Sequence, residues 1–241
     1  MKRCLDILGA LFGLVLLSPV LLLFLVLIWA QDFHSPFYIA PRMRRRGQTF
    51  RMVKLRSMVK NADKIGGTKT SSTDPRITWV GSYLRRFKLD EFAQLWNVLV
   101  GDMSLVGPRP QVPQSVALYT EEEYHLFEVR PGMTDFSSIV FSDQGEILKG
   151  SEHPDLKYNQ VIRPWKSRLG LFYVKNANVV LDLKLILLTI VAILSREKGL
   201  IGVQTILRQL NADPQLVQVA SRKSPLLPFP PPGATGVEHR Y

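Results

Sequence analysis

The chain has 241 residues, enough to bury one sizeable core with appendages, and a formal net charge of +11 with an isoelectric point near 9.9. Such a balance points to an anionic partner: nucleic acid, acidic lipid or a phosphorylated substrate. A lone cysteine, Cys4, excludes an intramolecular disulfide framework and fits a reducing compartment, while His34, His125, His153 and His239 lack the spacing of a zinc site.

From Ile7 to Ala30 the chain is uncharged and almost wholly apolar. That is long enough to cross a hydrocarbon core as a helix, and no small-x-small cleavage site precedes Gln31. Proline at position 19 has no amide hydrogen and clashes with the Val15 carbonyl, so a break or bend is expected at Ser18-Pro19, with the Ser18 hydroxyl taking up a freed carbonyl. Both flanks are basic: Lys2 and Arg3 before the run, then Arg42, Arg44, Arg45, Arg46, Arg51, Lys54, Arg56 and Lys60 after it. If positive flanks stay cytoplasmic, a straight pass would place one of them on the wrong side, and a helix that dips in and returns avoids this. A bitopic span kinked at the proline is the alternative.

The basic stretch Arg42–Lys60 can hold the following domain against anionic lipid, each cation contributing about 1 kcal/mol. Within it, Phe50–Arg56 reads as a short strand after the Gly47-Gln48 turn. Nucleic-acid binding is the competing use, but the patch lacks the interleaved aromatics of a single-strand platform. Asn61–Asp74 reads as a polar loop and Arg76–Phe87 as a helix.

Lys88–Pro110 carries the densest pattern. Phe92, Leu95, Trp96 and Leu99 recur at helical spacing and predict a buried stripe, with Asp90, Gln94 and Asn97 on the opposite face. Asp90 and Glu91 open this helix just after Arg85 and Arg86. A first-turn carboxylate stays ionised, and the same amides with nearby arginines attract phosphate. The residues thus offer an anionic oxygen nucleophile beside a phosphoryl seat, or else an ordinary acidic first turn. In Gly107-Pro108-Arg109-Pro110 the prolines fix Arg109 in an extended or turn conformation, a stiff way to present a guanidinium.

Thr120–Arg130 reads as a helix with three glutamates in its first turns, closed by Arg130-Pro131-Gly132, where the glycine permits a turn. Asp135–Leu148 alternates loosely and is expected to hold a short strand pair about Asp143–Gly145. Asp155–Lys175 looks helical in part, broken near Pro164. Asn178–Leu194 is apolar, but Asp182 and Lys184 leave too short a clean run to span, as in a core or interfacial helix. The proline-rich Ser221–Tyr241 reads as a disordered tail.

Several blocks together resemble the bacterial sugar transferase family, the monotopic polyprenyl-phosphate phosphoglycosyl transferases. They are Lys2-Arg3-x-x-Asp6-Ile7, Ser18-Pro19, Lys54-Leu55-Arg56-Ser57-Met58 and Asp74-Pro75-Arg76-Ile77, then Leu89-Asp90-Glu91 and Gln94-Leu95-Trp96-Asn97-Val98-Leu99. Gly101-Asp102-Met103-Ser104-Leu105-Val106-Gly107-Pro108-Arg109-Pro110, Val129-Arg130-Pro131-Gly132, Tyr173-Val174-x-Asn176 and Asp182-Leu183-Lys184 complete the match, in order, to about residue 194.

The resemblance implies an α+β, mainly helical protein of the family's short form. Residues 1–34 would be a re-entrant membrane helix broken at Ser18-Pro19. Residues 35–196 would be a cytoplasmic catalytic domain with a short sheet and interfacial amphipathic helices, and 197–241 an extension. The implied activity moves a phosphosugar from a nucleotide-activated sugar, by expectation a UDP-sugar, to undecaprenyl phosphate at the bacterial inner membrane. Asp90 would be the nucleophile, and Asp90 with Glu91 would hold Mg2+. Lys54, Arg85, Arg109 and Arg130 would compensate phosphate charge. Membrane lipids are implied partners, nucleic acid is not, and a homo-oligomer is allowed.

One stretch departs from the family pattern. Thr134–Ser142 reads TDFSSIVFS, and Ser142 stands where an arginine is expected to help hold the nucleotide diphosphate. Donor specificity is therefore expected in Asp135–Gly145. A non-catalytic, membrane-anchored basic adaptor is the alternative from another class, and the intact Asp90–Glu91 pair favours the transferase.

Overall fold

The computed structural model describes residues 1–65 and 74–239. It opens on a single long helix, α1 (Lys2–Asp32), with Pro19 inside it. The break expected at Ser18-Pro19 does not end the helix. The carbonyl that Pro19 leaves without a partner, that of Val15, accepts from Ser18 Oγ at 2.8 Å. Among the described residues α1 is the one helix long and apolar enough to cross a membrane. Most of its side chains face outward, Leu8, Phe12, Val15, Leu16 and Val26 among them.

Both ends of α1 are held by the same domain. Near the start, Arg3 donates to the carbonyls of Val98 and Leu99 at 2.5 and 2.7 Å, and Asp6 Oδ1 accepts from Ser104 Oγ and the Leu105 amide at 2.8 and 2.9 Å. Lys2 Nζ reaches Asp182 at 2.6 Å. Near the end, Ile28 packs in one cluster with Leu55, Val80 and Leu84, and Asp32 pairs with both terminal nitrogens of Arg56 at 2.5 and 2.6 Å.

A hairpin follows: β1 (Phe37–Met43) pairs antiparallel with β2 (Thr49–Leu55), with Arg42 opposite Phe50 and Tyr38 opposite Lys54. The strand expected at Phe50–Arg56 is thus present. The loop expected over Asn61–Asp74 falls largely on residues 66–73, outside the described residues. The helix expected over Arg76–Phe87 is α2 (Trp79–Arg86), capped by Thr78, whose side chain accepts from the Gly81 amide.

The central segment departs from the expected helix. Leu89–Gln94 is a 3₁₀ segment, and only Leu95–Val100 is α-helical, here α3. Of the predicted apolar stripe, Leu95 is buried with Phe92 and Leu99 packed beside it, but the polar stripe is buried as well and Trp96 turns outward. Asp90, Gln94 and Asn97 are buried, whereas Trp96 is 56% exposed. The polar face packs on β2, where Asn97 bonds the backbone: Oδ1 accepts from the Val53 amide and Nδ2 donates to the Arg51 carbonyl, both at 2.9 Å.

Two short parallel strands carry the chain past Arg109. In β3 (Ser104–Val106) and β4 (Gly132–Thr134), Ser104 pairs with Gly132 and Val106 with Thr134. A Cβ on Gly132 would lie 2.0 Å from the Gly107 amide nitrogen, so Gly132 serves a close backbone approach rather than the expected turn. Between these strands, the long helix expected at Thr120–Arg130 is one turn, α4 (Glu121–Tyr124), then a 3₁₀ turn. Thr120 and Glu123 cap it reciprocally. Glu123 is also buried against Arg163 (2.9 Å) and Ser167 Oγ (2.6 Å), so the same carboxylate serves the helix start and the core.

The strand pair expected near Asp143–Gly145 is helical instead: α5 (Phe136–Val140), capped by Asp135, and a turn at Gln144–Ile147. The main core then forms between α5, α6 (Arg163–Asn176), α7 (Val179–Leu194), α8 (Arg196–Gln209) and α9 (Pro214–Ser221). Pro164 stands in the first turn of α6, directly after a π-helical turn at Tyr158–Ile162, so the chain stays helical through the break expected there. α7 buries Leu181, Asp182 and Leu185 and exposes Leu187, Ile190 and Leu194, combining the core and interfacial readings.

The tail is a correction. Proline-rich composition suggested disorder, yet Phe229 stacks on Trp165 with ring centroids 4.4 Å apart, and Pro231 and Pro232 are buried. Arg168 donates to the Pro230 carbonyl at 2.8 Å and Thr120 Oγ1 to that of Pro232 at 2.6 Å. One aromatic anchor and pre-stiffened prolines lower the entropy cost of docking such a segment.

Candidate active site

Three stretches distant in sequence converge: the end of β2, the 3₁₀ segment after α2, and the loop after β3. The 3₁₀ segment is entered through Lys88, a non-glycine residue at φ 55°. That left-handed conformation costs about 1–3 kcal/mol and turns the chain so that Asp90 points inward. Asn97 then locks the segment to β2 through the two backbone bonds above. Lys54 lies one residue beyond the Val53 amide so held.

The outcome is a compact cluster of opposed charges. Lys54 Nζ lies 2.8 Å from Glu91 Oε1 and 4.0 Å from Asp90 Oδ2. Arg109 grips Glu91 with both terminal nitrogens, Nη2 on Oε1 and Nη1 on Oε2 at 3.1 Å. Among the described residues nothing donates a hydrogen bond to the carboxylate of Asp90, which is 8% exposed.

The two carboxylates therefore titrate apart. Burial pushes Asp90 above the ordinary aspartate range; Lys54 opposes this and the charge of Glu91 adds to it. Burial would push Glu91 up as well, but Arg109 and Lys54 outweigh it and hold Glu91 well below its usual value. Glu91 in turn holds Arg109 firmly protonated. Arg85 faces the same pair: burial disfavours its charge, and Asp90 is the leading group that favours it. Glu91 is thus the permanent anion that positions two cations, and Asp90 is the more basic, more nucleophilic oxygen.

Of the residues expected at the site, Asp90, Glu91, Lys54, Arg85 and Arg109 come together. Arg130 does not: its Nε donates to the Gly101 carbonyl at 3.0 Å, supporting the turn after α3. Ser18 and Pro19 lie in α1, where Ser18 bonds its own helix. Ser142 is exposed, and its neighbour Asp143 pairs with Arg196 at 2.7 Å and Arg222 at 3.3 Å. Asp135 is turned inward and bonded by Ser137 and Ser138. Sequence reasoning placed Asn97 on the right face but gave it no role, and its shared face with Asp90 was the available signal.

The donor set suits a hard divalent cation. Asp90 has unbonded oxygens, and Glu91 Oε2 accepts a single hydrogen bond. Among the described residues no third His, Cys, Asp or Glu joins them, which leaves the remaining positions of a magnesium octahedron to water and substrate phosphate. Behind Arg109 lies a cavity of about 30 Å³, bordered by Pro108, Pro110, Asp135 and Tyr158, with room for water but not for a nucleotide.

A membrane-length helix docked on a small domain, with a carboxylate pair set among phosphate-type cations, defines a membrane-associated group-transfer enzyme. Residues 1–196 match the family model described as bacterial sugar transferase, and the chain belongs to that family. It is by class a phosphoglycosyl transferase. The chain is 34% identical over 207 residues to the exopolysaccharide production protein ExoY of Sinorhizobium fredii, covering 80% of this chain and 84% of the relative. It is 36% identical over 211 residues to the exopolysaccharide production protein PSS of Rhizobium leguminosarum bv. phaseoli, covering 83% and 98%. To an undecaprenyl-phosphate glucose phosphotransferase of Komagataeibacter xylinus it is 37% identical over 196 residues, which are 78% of this chain but 35% of that one. The C-terminal extension after residue 196 lies outside the family match.

Proposed function

We propose that this protein transfers a phosphosugar from a nucleotide-diphosphate sugar, a UDP-sugar in the first instance, to undecaprenyl phosphate, as the opening step of exopolysaccharide or a related surface glycan. Asp90 attacks the phosphorus that carries the sugar. The bond from that phosphorus to the bridging oxygen breaks, and nucleoside monophosphate leaves with the electron pair. An oxygen of the polyprenyl phosphate then attacks the same phosphorus and returns Asp90 as a free carboxylate, giving a polyprenyl-diphospho-sugar. Splitting one displacement into two keeps each anionic encounter small.

The single observation that carries this reading is the Asp90–Glu91 pair. One buried carboxylate is left without a hydrogen-bond donor, beside another that holds Lys54 and Arg109 ready for phosphoryl oxygens. Asp90 and Glu91 would hold a magnesium ion, which supplies charge neutralisation on those oxygens when bound. The protein's own cations orient the phosphates, and the buried setting limits attack by water.

The membrane arrangement belongs to the same proposal. α1 dips into the inner membrane and returns, with the domain on the cytoplasmic side. What supports this is that Lys2, Arg3 and Asp6 at its start, and Ile28 and Asp32 at its end, are all held by one domain. The direct test is single-turnover release of nucleoside monophosphate with donor alone, followed by mass spectrometry of the trapped protein. Wild type releases one equivalent and carries a phosphosugar adduct on residue 90; Asp90→Asn does neither. Release by Asp90→Asn at the wild-type rate would sink the nucleophile.

A further inference from the structure

We propose that Arg42, assisted by Tyr38, forms a second phosphate-binding station beside the Asp90–Glu91 pair, for the oxyanion of a substrate phosphate. The inference rests on the transferase reading and adds a residue to it.

The hairpin register places the two side chains. Residues directly opposite across an antiparallel pair share a face, and so do alternate residues along each strand. Tyr38 stands opposite Lys54, Ala40 opposite Met52, and Arg42 opposite Phe50. The middle of that face, Ala40, Met52 and Phe50, is buried. Its polar groups stand at the ends: Lys54, which reaches Glu91, with Tyr38 at one, and Arg42 at the other. A backbone tie brings the Arg42 end to the site, since the Met43 amide donates to the Gln111 carbonyl at 2.8 Å. Arg42 precedes this tie by one residue on its strand, and Arg109 precedes it by two on its loop.

Arg42 differs from those cations of this region that are held in ion pairs. Lys54 and Arg109 pair with Glu91, Arg44 with Asp102, Arg56 with Asp32 and Arg76 with Asp74. Arg42 donates to the carbonyl of its own neighbour, Pro41, at 2.8 Å and has the Tyr38 hydroxyl beside it, and among the described residues no carboxylate pairs with it. It is half-buried, and its surroundings disfavour its charge: burial leads, the Tyr38 hydroxyl eases it, and the like charge of Arg109 adds to the cost. A desolvated guanidinium kept next to another one is costly unless an anion arrives. A phosphate suits it, because the planar fork binds two oxyanion oxygens at once. The proposed reaction brings two phosphate-bearing substrates to one place, while Lys54 and Arg109 are already shared with Glu91. The source of the phosphate is either the donor diphosphate or the acceptor monophosphate.

The test compares wild type with Arg42→Gln, Arg42→Lys and Tyr38→Phe in the full-length protein. KM is measured separately for donor and for acceptor, beside binding to vesicles containing anionic phospholipid. Arg42→Gln is expected to raise one KM about tenfold, and Arg42→Lys to raise it less, since the charge is kept and the fork is lost. The substrate whose KM moves names the source of the phosphate. KM values for both substrates within about twofold of wild type overturn the proposal. So does a KM rise matched by an equal loss of vesicle binding, which would make Arg42 part of a lipid-surface patch. Inorganic pyrophosphate gives an independent readout: it should raise the melting temperature of wild type and raise that of Arg42→Gln less. An equal rise in both overturns the station. Should Arg42→Gln fail to fold, Arg42→Lys and Tyr38→Phe are read by the same criteria. Failure of wild type to release nucleoside monophosphate would defeat the transferase reading itself, and the pyrophosphate comparison would still decide this one.

Discussion

Arg109 closes on Glu91 with both terminal nitrogens, and Lys54 approaches the same Oε1 at 2.8 Å, so one carboxylate arranges two cations from different elements. The two carboxylates of the pair therefore sit in different electrostatic settings. Glu91 is held ionised by its partners, while Asp90, which no donor bonds, is pushed toward its protonated form by burial.

The first prediction concerns pH. As the proposed nucleophile Asp90 attacks only as a carboxylate, so activity should fall as pH drops through its pKa, which burial raises above the ordinary aspartate value. The acidic limb of the single-turnover rate should therefore lie above 3.8. Lys54→Met removes a positive charge that lowers the Asp90 pKa, so it moves the limb to higher pH. Glu91→Gln removes a negative charge that raises it, so it moves the limb to lower pH while slowing the reaction. Limbs that move together, or in the opposite senses, would contradict the assignment.

A second prediction concerns Asn97. Replacing it with Leu leaves the Val53 amide and the Arg51 carbonyl without their side-chain partners. An unmet buried polar group costs about 1–3 kcal/mol. At this chain length each kcal/mol lowers the melting temperature by roughly 2–4 °C. The position of Lys54 loosens at the same time, so the transfer rate should fall by more than the loss of folded protein explains. A variant of wild-type rate and melting temperature would show that the clamp is idle.

Much of this was legible in the chain, and the failures have physical causes. The hairpin strand and α2 follow from charge, turn residues and periodicity, whereas the Asp90–Glu91 pair stood out from an ordinary acidic first turn only through the family resemblance. The apolar stripe of Phe92, Leu95 and Leu99 packs inward as its spacing predicts, but periodicity assigns the opposite face to solvent and so missed that Asp90, Gln94 and Asn97 are buried. Trp96 turns outward, and Asn97 is spent on the backbone of β2. The helix α5 was missed because Ile139 and Phe141 suggested alternation. The stronger signal was Asp135 ahead of Ser137-Ser138, an N-cap whose carboxylate accepts from the Ser138 amide at 2.7 Å. Docking of the tail could not be read from composition, since it depends on Trp165 being available as a stacking partner.

Gly132 gives a third prediction. An added methyl would meet the Gly107 amide nitrogen at 2.0 Å and its carbonyl oxygen at 2.5 Å, both backbone atoms that cannot swing aside. Gly132→Ala must push β3 and β4 apart just ahead of Arg109. A displacement near 1 Å at a positioning element costs on the order of 100-fold in rate. The expected outcome is a folded but destabilised protein with at least that loss. Full activity would mean that the loop bearing Arg109 is not set by this contact.

The tail makes a fourth. Phe229→Ala removes the ring stacked on Trp165 and lying 4.8 Å from the Arg168 guanidinium. Aromatic pairing alone is worth about 0.5–1.5 kcal/mol beyond the area buried. Thermal unfolding should show a fall of several degrees, and truncation before Ser224 a larger one. Unchanged melting after truncation would return the segment to the disordered tail suggested by its composition.

The last concerns the path of α1, and the chain carries a probe for it. Its lone cysteine, Cys4, is exposed near the start of the helix, beside the Arg3 contacts with Val98 and Leu99. A second site, exposed Glu152, lies in the domain and can be made cysteine in a Cys4→Ser background. In a straight crossing the two positions face opposite sides of the membrane; in a helix that returns they face the same side. A membrane-impermeant maleimide applied to inside-out vesicles should therefore modify both, and applied to intact spheroplasts it should modify neither. Both legs are pinned to one folded unit, by Lys2 to Asp182 at one end and Asp32 to Arg56 at the other, so a crossing helix would have to forfeit one of these pairs. Modification of Cys4 from outside together with protection of position 152 would show that it does.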